Sequence, residues 1–177
     1  MTVSAGPAGY PLQVRTGHET DAAAVLALWD AAIGWLVARG QTGQWGATPA
    51  SARPQACDMV REWVAGAGLR VAELGGKPVG ASVVTSAHPA YVPPPGRRET
   101  YLLFLVADRT RAGLGIGSAL ARRAAADARA AGSQVLRVDC WADAPDLVAW
   151  YERQGFTRSA TFTVNASWRG QMLEMRL

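Results

Sequence analysis

Three glycines on alternate positions, Gly113, Gly115 and Gly117, join an apolar run that ends at Val106 to an alanine-rich segment with helical periodicity. Glycine lets the backbone turn sharply and come close to a ligand, because no Cβ stands in the way. The helix that follows opens with unpaired N–H groups and the positive end of its dipole, and both attract anions. A strand, a glycine turn and a helix therefore predict a phosphate cradle inside a β-α-β unit.

The flanking segments frame that unit. Leu12 to Arg15 is extended, and Thr20 and Asp21 cap a helix whose apolar positions Val25, Trp29, Ile33 and Leu36 recur at helical spacing up to Arg39-Gly40. A loop from Gln41 to Arg53 follows, and Pro54 suits the first turn of a helix with Met59, Val60, Trp63 and Val64 on its buried face. Leu69–Leu74 and Val79–Ser86 read as a hairpin, and the proline-rich stretch from His88 to Arg98 reads as a surface loop. Beyond the strand Thr100–Val106 and the helix Gly115–Ala131 come a strand Val135–Cys140 and a helix Pro145–Gln154. Two last strands, Phe156–Thr163 and Met172–Leu177, flank a loop from Asn165 to Gly170. The expectation is one mixed α/β domain over 12–177, behind a loose, flexible tail over 1–11.

Composition narrows the function classes. The 177 residues suffice for one full core, and with 49% apolar and 18% charged residues the chain is globular in character. The net charge of +4 comes from scattered arginines, Lys77 being the only lysine; no basic run or basic-aromatic stripe forms, which argues against nucleic acid. Cys57 and Cys140 stand far apart, without a CxxC pair or a Cys/His cluster, so neither a metal site nor a disulfide framework is expected. Met1 to Pro11 lack a basic and an apolar region, and no run approaches the roughly 18 apolar residues of a membrane span. The expected compartment is the cytoplasm, with no membrane partner.

Whose phosphate the glycines hold is decided by spacing and by a second segment. A P-loop needs a lysine after its glycines, and none follows here. A dinucleotide fingerprint needs a tight turn, whereas Ala107 to Ala112 separate the strand from Gly113. Arg111-Ala-Gly113-Leu-Gly115-Ile-Gly117 resembles the pyrophosphate motif [QR]-x-x-G-x-[GA] of the GCN5-related N-acetyltransferases (GNAT). Downstream, Trp150-Tyr151-Glu152-Arg153-Gln154-Gly155-Phe156 resembles that family's LYxxxGF segment, and the order of elements from Leu12 to Leu177 also matches. Two positions depart from the pattern. Ala112 falls where the motif has Gln or Arg, with Arg111 one place earlier, and Ala144 stands where an asparagine is frequent.

The resemblance implies a GNAT-like α/β fold: a central mixed sheet with two splayed parallel strands, and helices on both faces. It implies acetyl-CoA as acyl donor, held by the backbone of Leu105 and Val106 and by the turn Arg111, Ala112, Gly113, Leu114, Gly115, Ile116, Gly117 and Ser118. Tyr151 takes the place of the family's general acid. Glu99 and Asp139 are the candidates for general base, and each has a structural ion-pair role as its alternative. Trp35, Gln44, Trp45 and Trp141, with Tyr91 of the proline loop, fall where the acceptor binds; exposed tryptophan marks binding surfaces and equally staples loops to cores. The implied reaction moves an acetyl group to a primary amine of a small-molecule acceptor by direct transfer in a ternary complex. A catalytically silent CoA sensor and a dinucleotide-dependent oxidoreductase are the alternatives. Homodimers are frequent in the family.

Overall fold

The computed structural model describes residues 3–5 and 11–177. Its strands are β1 (Val3–Ala5), β2 (Pro11–Thr16), β3 (Leu69–Leu74), β4 (Lys77–Thr85), β5 (Glu99–Ala107), β6 (Val135–Trp141), β7 (Thr157–Val164) and β8 (Trp168–Arg176). The helices are α1 (Ala22–Val37), α2 (Pro54–Ala65), α3 (Ile116–Ala130) and α4 (Pro145–Arg153). Proline opens both α2 and α4, where its fixed φ fits and its missing N–H costs nothing. Ahead of α1, His18 and Asp21 form a reciprocal capping box around a single 3-10 turn, so Asp21 caps from inside that turn.

All eight strands join one sheet in the order β1-β2-β3-β4-β5-β6-β8-β7. Every neighbouring pair is antiparallel except β5 and β6. That parallel contact is short: Glu99, Thr100 and Tyr101 pair with Val135, Leu136 and Arg137, and pairing then stops. Beyond it β5 stays on β4 and β6 stays on β8, so the two strands diverge and leave a wedge between them. The register of β4 against β5 steps from Val83–Phe104 to Val84–Leu102, which makes Leu103 an extra, bulged residue. A bulge bends its strand and sharpens its twist, and this one lies two residues past the last β5–β6 pair.

The sheet separates two apolar layers. On one face α1 and α2 bring Val25, Trp29, Ile33, Val60 and Trp63 onto Val71, Val83, Phe104 and Val106. On the other, α3 brings Ile116 and Leu120 onto Leu12, Ala72, Leu74 and Val79, while Ala124 of α3 with Val148 and Tyr151 of α4 packs on Leu102, Val138 and Cys140. Alternation along β6 follows from strand geometry: Val138 and Cys140 face α4, and Asp139 faces the other side.

Three expectations are corrected. The tail is not loose throughout, since Val3–Ala5 pairs with the start of β2; residues 1, 2 and 6–10 lie outside the described residues. The last loop is shorter than Asn165 to Gly170, because Asn165 and Ala166 both take positive φ (51° and 59°) and close a tight hairpin that carries Trp168 into β8. A long apolar stretch also exists: Glu19–Val37, 19 residues with a mean hydropathy of 1.4 over an 18-residue window, has the length and composition of a membrane span. In this fold its inner face, Val25, Trp29, Ala32 and Ile33, is packed on the sheet, and Asp30 accepts the Ser51 amide.

Candidate active site

The wedge between β5 and β6 opens into a cleft of about 770 Å³. Its floor is β5 from Leu102 to Ala107, its walls are the turn before α3 and the face of α4 that carries Leu147, Trp150 and Tyr151, and its far side is the end of α1 with the loop after it. From Leu102 onward the edge of β5 that faces β6 has no strand partner, so alternate main-chain groups there point into the cleft. Leu105 and Val106 belong to this stretch and line the cleft.

The glycine turn divides its labour. Gly113 and Gly115 hold positive φ (86° and 72°), and a Cβ at either would project into open space. Gly117 has no such conformation; a Cβ there would stand 2.9 Å from the Trp150 ring, so its smallness lets α3 begin against α4. Among the described residues the amides of Gly113, Gly115, Ile116, Gly117 and Ser118 take no main-chain partner. Free amides at a helix N-terminus, beside space that side chains leave empty, fit a pyrophosphate. Arg111 and Ala112 line the same wall, with the Arg111 guanidinium 3.2 Å from Asp108. Leu114 is corrected: it turns inward and packs beside Leu12, Leu74 and Ile116 instead of lining the cleft.

Two of the three candidate catalytic residues meet in the cleft. Tyr151 is 6% exposed, against Phe156 and Trp150, and its hydroxyl has no protein partner among the described residues. Burial, with the nearby Cys140 and Asp139, pushes its pKa well above the usual phenol value, so the phenol keeps its proton. Asp139 faces the opposite side of the sheet, where the Tyr101 hydroxyl donates to it and the Tyr91 hydroxyl approaches it. Burial outweighs those donors and raises the carboxyl above its ordinary range. Glu99 is corrected. It sits at the closed end of β5, 8% exposed, paired with Arg137 at 3.1 Å and with His88, and it does not line the cleft. Its ion-pair alternative is the one the fold realises.

Trp35, Gln44, Trp45 and Trp141 line the cleft, and several also hold the loop in place; Tyr91 does not line it and stacks on Phe162 instead. Trp45 packs on Trp29 (6.0 Å between centroids) and Phe104 (5.9 Å), which makes it a staple as well as a wall. Gln44 accepts the Trp141 amide at 2.7 Å, and the Trp168 indole donates to the Gly43 carbonyl at 2.6 Å. Trp35 stands apart, with the guanidiniums of Arg39 and Arg109 at 3.8 Å and 3.9 Å from its ring. Sequence reasoning missed both arginines. Arg39 had a signal, four residues after Trp35 on one helix face, whereas Arg109 reaches the ring only through the fold.

The sequence matches the family model of the acetyltransferase (GNAT) family over residues 41–156. The chain belongs to that family. It is thereby an acetyl-CoA-dependent N-acetyltransferase, and the free amides and open wedge described above fit that cosubstrate. The dinucleotide reading falls with the same finding. Solved structures of the same fold include a GNAT acetyltransferase of Listeria monocytogenes (17% identity, TM-score 0.72, all of both chains covered). A ribosomal-protein-alanine N-acetyltransferase of Brucella melitensis matches with 20% identity, TM-score 0.70, 93% of this chain and 99% of that one. The Salmonella typhimurium protein yncA, solved with its cofactor acetyl-CoA, matches with 15% identity, TM-score 0.67 and 93% of both chains. No curated protein sequence matches this chain.

Proposed function

We propose that this GNAT enzyme acetylates a primary amine of a small-molecule acceptor by direct transfer in a ternary complex, with Tyr151 as general acid and Asp139 as general base. The observation that carries the reading is the placement of these two groups on opposite sides of one wedge. The amide cradle and Tyr151 lie on the α3–α4 side; Asp139, Trp35 and Gln44 lie on the other. Donor and acceptor thereby have separate approaches to a shared centre.

Acetyl-CoA supplies the activated thioester. The amine must lose a proton to attack, and a carboxylate whose pKa is raised by burial is a stronger base for that task. Tyr151, protonated at all working pH values, holds a proton facing the wedge for the departing sulfur. That sulfur is desolvated in the same place, which raises its basicity alongside that of the phenol. Main-chain N–H groups on the open edge of β5 are positioned to polarise the thioester carbonyl. Direct transfer is also supported by the cysteines. Burial pushes the Cys140 thiol up to about 12, and Cys57 lies on α2 away from the cleft. Both thiols are unpaired, which fits the reducing cytoplasm we propose as its location.

The test is a panel of amines with acetyl-CoA, following free CoA. Release with at least one small amine, and a loss in kcat of roughly 10- to 100-fold in Tyr151→Phe at unchanged KM for acetyl-CoA, is the expected result. Undiminished turnover in Tyr151→Phe overturns the assignment of the acid. CoA binding without release across the panel supports a sensor in place of a transferase.

A further inference from the structure

The acceptor side of the cleft carries positive charge that the protein itself does not neutralise. Arg39 and Arg109 both stand within 4 Å of the Trp35 ring, and neither has a carboxylate partner among the described residues. Of the carboxylates that line the cleft, Asp108 is committed to Arg111 and Thr110 and Asp139 to tyrosine hydroxyls, and Asp146 belongs to the first turn of α4. One guanidinium N–H of Arg39 donates to the Trp35 carbonyl at 3.2 Å, which fixes the group beside the ring. Partial burial and the charge of Arg39 together lower the pKa of Arg109, so the two cations repel across one indole. Two like charges held against an aromatic ring, with their remaining N–H groups toward a cleft, form an incomplete site that an anion completes.

We infer that Arg39 and Arg109, spaced by Trp35, bind an oxyanion of the acceptor, and that the substrate is an amine that also carries a carboxylate or a phosphonate. The inference rests on the transferase reading above and adds the substrate class. A guanidinium pairs with such groups through two parallel N–H bonds, which orients the acceptor as well as holding it. A phosphate of the donor is the other source of an oxyanion in this cleft. The place in the fold favours the acceptor: Trp35 lies on α1 and Arg39 in the turn just after it, on the opposite face of the sheet from the amide cradle of α3, and Arg109 reaches the same ring from the turn between β5 and α3. The neighbouring walls, Leu36, Trp45 and Phe104, give the acceptor an apolar body to pack against.

The experiment compares α- and ω-amino acids of increasing length with their amides, in wild type and in Arg39→Gln, Arg109→Gln and the double variant. Both arginines lie at the surface and neither holds an ion pair among the described residues, so Gln, which keeps polar reach, is the mild substitution, and thermal unfolding of each variant checks its fold. The expected result is a kcat/KM for the best acid about 10- to 100-fold above that of its amide, falling to near parity in the double variant, with the KM for acetyl-CoA unchanged. Equal use of acids and amides by the wild type overturns the inference. So does a raised KM for acetyl-CoA with the preference intact, which assigns the arginines to a donor phosphate. Calorimetric titration of the same pairs into the CoA-loaded protein separates this from the transferase reading. Binding of acids over amides without turnover sustains the oxyanion site and sinks the catalytic assignment, and no preference in binding or turnover sinks the site.

Discussion

Asp139 is held where its charge is costly, and that cost is the sign of its use. Burial raises its pKa above the unfolded value, so the ionised form is destabilised in the folded protein at pH values above the ordinary carboxylate range. Asp139→Asn removes that penalty and can still accept from Tyr101. The expected outcome is a melting temperature at pH 7 equal to or above that of the wild type, with the difference shrinking as pH falls through the carboxylate range and both side chains become neutral. Turnover should fall by roughly 100-fold, and the acid limb of the wild-type pH–rate profile should lie above the usual carboxylate range. An unchanged rate in Asp139→Asn would refute the base. Glu99 behaves in the opposite sense. Its removal leaves Arg137, only 4% exposed at its side chain, with the Pro93 carbonyl and Glu174 alone. Glu99→Ala should cost about 3 kcal/mol in denaturant unfolding, at the low end for a broken buried pair because those partners remain, with kcat retained in the protein that stays folded.

At the level of elements, the turn before α3 sets the donor site through backbone conformation alone. Gly115 at φ 72° is the N-cap of α3, and its missing Cβ faces empty space. Gly115→Ala meets no atom, so its stability cost is confined to the left-handed strain of about 1 kcal/mol. The new methyl nonetheless occupies the cradle, and the KM for acetyl-CoA should rise by at least about 10-fold in steady-state kinetics, with little change in kcat. Gly117→Ala acts by a different route, because its Cβ would stand 2.9 Å from the Trp150 ring, which must shift and so disturbs the contact of α3 with α4. It should lower the melting temperature more than Gly115→Ala does, and the reverse order in thermal unfolding would contradict this division of roles.

Across the whole molecule, the acceptor side is closed by contacts between segments remote in sequence. The loop after α1 is tied to β6 through Gln44 and the Trp141 amide, and to β8 through Gly43 and the Trp168 indole. Trp168→Phe keeps an aromatic ring at the position, although a smaller one, and removes the donor. Hydrogen exchange at residues 41–46 should quicken by roughly 5- to 10-fold, for the loss of one hydrogen bond of about 1 kcal/mol, while the sheet amides stay as protected as in the wild type. Unchanged exchange would show that packing of Trp45 on Trp29 and Phe104 suffices to hold the loop.

The order of elements, the glycine turn and the place of Tyr151 are legible in the chain alone, because each depends on local periodicity or on a motif within a few residues. The positive φ values at Gly113 and Gly115 are likewise local requirements, and glycine declares them. Tertiary structure decided what depends on how strands and loops meet. Glu99 and Asp139 are both acidic residues on central strands, yet one is sealed at the paired end of β5 and the other opens into the wedge. The bulge at Leu103 and the early end of β5–β6 pairing are set by the neighbours of those strands, not by any pattern within them. Arg109 joins Trp35 across 74 residues of chain, a distance over which charge and aromatic spacing carry no signal until the backbone has folded them together.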